Sequence, residues 1–121
     1  MQDRYAGALV LMAGMEEGKE RVGRTELWLD AALVLERVRK RRVSHTGELL
    51  MRREYEYSLG ISWKSEVEAA RSLYESALRD CSALHVSITR LRSRVQAYRE
   101  DLSQQREELM TVLGVSGVDS A

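Results

Sequence analysis

The chain has 121 residues, of which 44% are hydrophobic and 31% charged, and its Lys and Arg balance its Asp and Glu at a formal charge of zero. That mixture excludes wholesale disorder, and the zero net charge argues against a general nucleic-acid binder. With no Pro, no Phe and 6% aromatic residues, it lacks the ring payload of an ordinary two-layer enzyme core and the commonest turn residue. The composition reads as long helices, and the fold class expected is all-α.

The first dense apolar stretch is Tyr5 to Met15, interrupted by Gly7 and Gly14. It is too short to cross a bilayer, which needs about 20 residues. It is also a poor signal peptide, because Met1-Gln2-Asp3-Arg4 carries no net positive charge. Residues 1–23 are expected to form a short helix and a turn containing Gly14, Gly18 and Gly23. The alternative is that they continue the next helix.

Residues 24–59 predict a first long helix, with Gly47 as the only glycine after Gly23 and before Gly60. Trp28, Leu29, Ala31, Ala32, Leu33, Val34, Leu35 and Val38 are apolar around nearly the whole circumference, a pattern of burial on several sides. A seven-residue spacing runs Met15, Val22, Leu29, Glu36, Val43, Leu50, Tyr57. Its companion positions Thr25, Arg39, Thr46 and Arg53 are polar, so a strict two-stranded coil is not expected here.

Gly60 can take a left-handed cap conformation, and Ser65-Glu66-Val67-Glu68 reads as a capping box with Ser65 at the N-cap. Residues 60–64 are therefore expected to be a loop that folds the chain into a helical hairpin. The rival is one unbroken rod.

Residues 65–113 carry the strongest signal. Alternating steps of three and four pass through Val67, Ala70, Tyr74, Ala77, Cys81, Leu84, Ile88, Leu91, Val95, Tyr98, Leu102, Gln105, Leu109 and Val112, all apolar except Gln105. Such a row stays in phase only in a left-handed supercoil. β-Branched residues at a and leucines at d between Leu84 and Val95 favour parallel two-stranded pairing. Leu73 and Leu78, at g and e, widen the apolar face and point to a dimeric helical bundle. The tail, residues 114–121, is expected to be flexible.

No phosphate loop, His-x-x-x-His, Cys-x-x-Cys or nucleophile elbow occurs, so no enzyme, metal site, cofactor or small-molecule substrate is expected. Cys81, the only cysteine, excludes a disulfide framework within the chain and fits an intracellular setting, cytoplasmic or nuclear. His45 and His85 read as surface residues. Basic side chains cluster at Arg37, Arg39, Lys40, Arg41, Arg42, Arg52 and Arg53, and again at Arg90, Arg92, Arg94 and Arg99. Folded back about residue 62, the two runs would form a belt able to hold an acidic partner such as a tubulin tail, nucleic acid or anionic lipid. A solvated face is the alternative, and the one favoured.

The reading of function is a structural and interaction module that pairs with itself, parallel chains favoured, and scaffolds other proteins through its helical faces. In its coarse plan, an Arg-rich hairpin, the chain is similar to stalk proteins of flagellar and type III export apparatus. Segments of cytoskeletal and kinetochore scaffolds look alike too. The resemblance covers architecture alone and carries over no residue. It implies, as the alternative, an export stalk or chaperone whose Tyr5–Met15 segment contacts the partner.

Overall fold

The computed structural model describes residues 2–114, with side chains from Arg4 onward. Two helices, α1 (Gln2–Ser58) and α2 (Lys64–Leu113), pack against each other as an all-α helical hairpin, with no strand among the described residues. The turn expected within residues 1–23 is absent. α1 runs unbroken through Gly14, Gly18 and Gly23. Beyond Gly114, the expected tail lies outside the described residues.

Packing divides the chain into two compact units, one formed by Asp30–Arg90 and the other by the helical segments up to Leu29 and from Leu91. The first of these, the turn unit, is held by Val67, Ala70, Ala77, Leu84 and Ile88, all buried on α2. Facing them on α1 are Ala32, Leu33, Glu36, Arg39, Val43, Thr46, Gly47, Leu49, Leu50 and Arg53, each half-buried. α1 thus follows its seven-residue spacing inward even where the companion positions are polar. Bulk is traded across this interface: a Cβ on Gly47 would stand 3.2 Å from Tyr74 Cε1, so the glycine makes room for the ring.

In the end unit, Val95 and Ala8 are buried, with Leu91, Tyr98, Leu102, Gln105, Leu109 and Val112 half-buried around them. Gly14 and Gly18 are one turn apart and both face α2. A Cβ on Gly18 would meet Leu102 Cδ2 at 2.7 Å, and one on Gly14 would meet Gln105 Nε2 at 3.4 Å. At these glycines the Leu102 and Gln105 side chains of α2 lie directly against the α1 backbone, which residues without a Cβ allow. Arg21 lies over the Tyr98 ring at 5.3 Å from its centroid, within cation–π range. At the end of α2, Arg4 Nε donates to the Val112 carbonyl, placing a cation on the unsatisfied C-terminal carbonyls.

The turn itself is a Schellman motif. Gly60, at φ +74, donates to Tyr57 O at 3.0 Å, and Ile61 N–H donates to Glu56 O at 2.8 Å. α2 then starts two residues earlier than the capping box predicted. Trp63 O accepts from Glu66 N–H and Val67 N–H, and Glu66 Oε1 accepts from Trp63 N–H at 3.5 Å. The reaching carboxylate is therefore Glu66, with Trp63 as N-cap, in place of Glu68 and Ser65. Ser62 supplies the fixing contact: buried, it donates its hydroxyl to Arg53 O at 3.0 Å.

Candidate interaction surfaces

The predicted a and d row faces the chain's own first helix. In the turn unit Val67, Ala70, Tyr74, Ala77, Cys81, Leu84 and Ile88 all point inward. In the end unit Leu91, Val95, Tyr98, Leu102, Gln105, Leu109 and Val112 do the same. The row expected to pair two chains is thus taken up inside one. Physically, a loop of a few residues gives the second arm an effective concentration that a separate chain reaches only when very concentrated.

The flanking charges confirm this intrachain use. Arg42 Nη1 meets Asp80 Oδ2 at 3.1 Å and Arg71 meets Glu54 at 3.5 Å. Arg53 reaches both Glu56 and Glu66, and His85 Nδ1 lies 3.6 Å from Glu36 Oε2. Glu66, Arg71, Asp80 and His85 occupy g and e positions beside this row, where a parallel pair of chains would also bring them together, as it would Asp101 and Arg106 in the end unit. The four in the turn unit are matched to α1. All are at least partly exposed, so each Arg–carboxylate pair is worth only tenths of a kcal/mol to about 1 kcal/mol, and the His85–Glu36 contact is an ion pair only when His85 carries a proton.

The basic residues are divided among different surroundings. In the turn unit Arg39 donates to Asp80 O at 3.0 Å, Lys40 pairs with Glu36 at 3.5 Å, and Arg42 pairs with Asp80. Arg37, Arg41 and Arg90 are exposed and have no acidic partner among the described residues. In the end unit Arg99 pairs with Glu26, whereas Arg92 and Arg94 project outward. About half of the proposed belt is therefore satisfied within the chain.

Two surfaces were not legible as surfaces. The first is the outside of α1. Val34, Leu35 and Val38, from the segment read as buried all round, are exposed at 56%, 40% and 53% in the turn unit. The second is the turn, where Tyr55, Tyr57, Leu59, Ile61 and Trp63 are all exposed, Trp63 most of all at 75%. Their spacing of two carried the signal. Residues two apart cannot line one face of a helix, so at a helix end they spread outward. Leu73 and Leu78 are exposed as well.

The end unit also has a groove of about 350 Å³ between Gly14 and Gly18 on one side and Leu102 and Gln105 on the other, edged by Glu17, Asp101 and Glu108. Among the described residues no group of His, Cys, Asp and Glu is arranged to hold a metal ion, and no helix is long and apolar enough to cross a membrane. No protein-family model matches the chain, and no curated protein or solved structure matches it.

Proposed function

We propose that the protein is a non-enzymatic helical-hairpin interaction module that associates with itself and holds other proteins on its outward faces. The observation that carries this is the inversion on α1 in the turn unit. Glu36, Arg39 and Arg53 lie on the inward side, while Val34, Leu35 and Val38 lie outside. With Ala32, Leu33 and Val43 inward and Val34, Leu35 and Val38 outward, this part of α1 is apolar on two sides, and a helix of that kind is stable when covered on more than one side; one α2 covers one side. Exposed apolar surface of this kind marks association sites in soluble proteins. The reading places the protein inside the cell, where Cys81 remains a thiol.

Size-exclusion chromatography with light scattering tests the proposal. A mass rising from one chain toward two as concentration increases is the expected result. A single-chain mass up to millimolar concentration overturns it.

A second reading has its own observation. Tyr5, Leu9, Val10 and Met12 are exposed at the start of α1, as an export stalk or chaperone that grips a client with this segment would have them. Under that reading, replacing Leu9, Val10 and Met12 by Ser removes client capture and leaves self-association unchanged.

A further inference from the structure

Within the turn unit, α1 carries a second row at alternating steps of four and three, on the side away from α2. It passes through Val34, Val38, Arg41, His45, Glu48, Arg52 and Tyr55 and reaches Leu59 just past the helix end, and every member is exposed. The alternation is that of a coiled-coil seam, so a partner helix that winds with α1 in a left-handed supercoil can follow it over its full length. Its order is close to palindromic: two apolar residues, four polar ones, two apolar ones. Arg41, His45, Glu48 and Arg52 also take no ion-pair partner among the described residues, whereas Lys40, Arg42 and Arg53 beside them do.

We infer that this row is the interface for a second copy of the chain, lying antiparallel about a two-fold axis between His45 and Glu48. This rests on the self-association proposed above and specifies its surface and direction. In the antiparallel register Val34 meets Leu59, Val38 meets Tyr55, and His45 meets Glu48 of the second copy. The apolar ends of the row cover each other and the polar middle aligns with itself. Arg41 faces Arg52 across the pair, but a Glu48 stands one turn from each. For Arg52 it is its own Glu48, four residues back. For Arg41 it is the Glu48 of the second copy.

Charge favours this direction over the parallel one. Both directions face two pairs of arginines, but a parallel in-register pair also stacks Glu48 on Glu48 and leaves Arg41 with no carboxylate of the row one turn away, whereas the antiparallel pair sets Glu48 against His45 and within a turn of both arginines. Parallel pairing through Cys81 and its row, the direction favoured by a and d preferences, has no free seam left in the hairpin. An isologous contact of this kind saturates both rows and closes at two chains.

Disulfide trapping in a Cys81→Ala background tests the inference. Val38→Cys, Tyr55→Cys and the double variant are equilibrated in a glutathione redox buffer and run on a non-reducing gel, with helicity checked by circular dichroism and mass by light scattering. The two positions are about 25 Å apart along one helix at 1.5 Å per residue, far beyond the reach of a disulfide within one chain. The expected result is a covalent dimer from the double variant and little from either single one. Glu48→Arg should weaken dimerisation by about tenfold, as repulsive charges at an interface do. A covalent dimer from Val38→Cys alone shows a parallel pair and overturns the inference. Two-chain mass in solution without trapping of the double variant overturns the surface but leaves self-association standing. A single-chain mass at every concentration overturns both.

Discussion

Gly18 on α1 lies so close under Leu102 on α2 that a methyl group in its place would stand 2.7 Å from Leu102 Cδ2. Gly23, five residues on in the same helix, has nothing within 4 Å of where its Cβ would be. The two glycines make an internal control. Glycine in a helix interior costs about 0.5–1 kcal/mol relative to alanine. Gly23→Ala should therefore raise the thermal midpoint by a few degrees. Gly18→Ala gains the same propensity but must displace Leu102, and should leave the midpoint unchanged or lower it. A stabilising Gly18→Ala, measured by thermal circular dichroism, would mean that the helices do not approach at this point.

Gly60 makes a different demand. Its φ of +74 is a conformation that side chains with a Cβ resist. Gly60→Ala should cost about 1 kcal/mol in urea denaturation, and Gly60→Asn less, because asparagine tolerates the left-handed region better. Equal losses for the two variants would show that the turn is held by something other than this conformation.

Ile88 is 1% exposed, and Val86, two residues away, is 49% exposed. Ile88→Ala should cost about 2–4 kcal/mol, the range for emptying a buried branched site. Val86→Ala should cost less than about 0.5 kcal/mol, as exposed changes usually do. Leu84→Asp puts an unpaired charge at a buried position and should unfold the turn unit outright. Ser93→Asp, on an exposed position of α2, should not change the circular dichroism spectrum.

The folding unit and the heptad row of α2 were readable because that row is apolar at almost every position. The direction in which the row points was read less well. An alternation of three and four is the same whether the facing helix belongs to another chain or to the same one. The expectation of a parallel pair rests on β-branched residues at a and leucines at d between Leu84 and Val95, and those residues pack as well against α1 as against a second α2. Gly14 and Gly18 were misread for a physical reason. Alone, a glycine signals a turn; spaced four apart, a pair lines one helix face and signals close approach. The outward row from Val34 to Leu59 was within reach of the same counting used on α2, but its four polar members hid it.

Cys81 separates the two associations. It is half-buried on the inward face of α2, and in an antiparallel contact between two α1 helices it stays inside each hairpin. Mild oxidation of the wild type should leave the chain unlinked, and a thiol reagent should react with folded protein more slowly than with denatured protein. Rapid formation of a disulfide-linked dimer at Cys81 would mean that the α2 rows of two chains meet.

The turn between the helices combines bare side chains with a closed backbone. Every N–H from Leu59 to Trp63 has an acceptor inside the chain: Tyr55 O and Glu56 O for Leu59, Tyr57 O for Gly60, Glu56 O for Ile61 and Ser62, and the Glu66 carboxylate for Trp63. Amide hydrogens here should exchange with solvent slowly for a segment whose side chains are so accessible. An endoprotease must draw the chain into an extended strand, which here requires breaking several hydrogen bonds at once. The apex with the most attractive cleavage residues, Tyr57, Leu59 and Trp63, should thus be among the last places where limited proteolysis cuts.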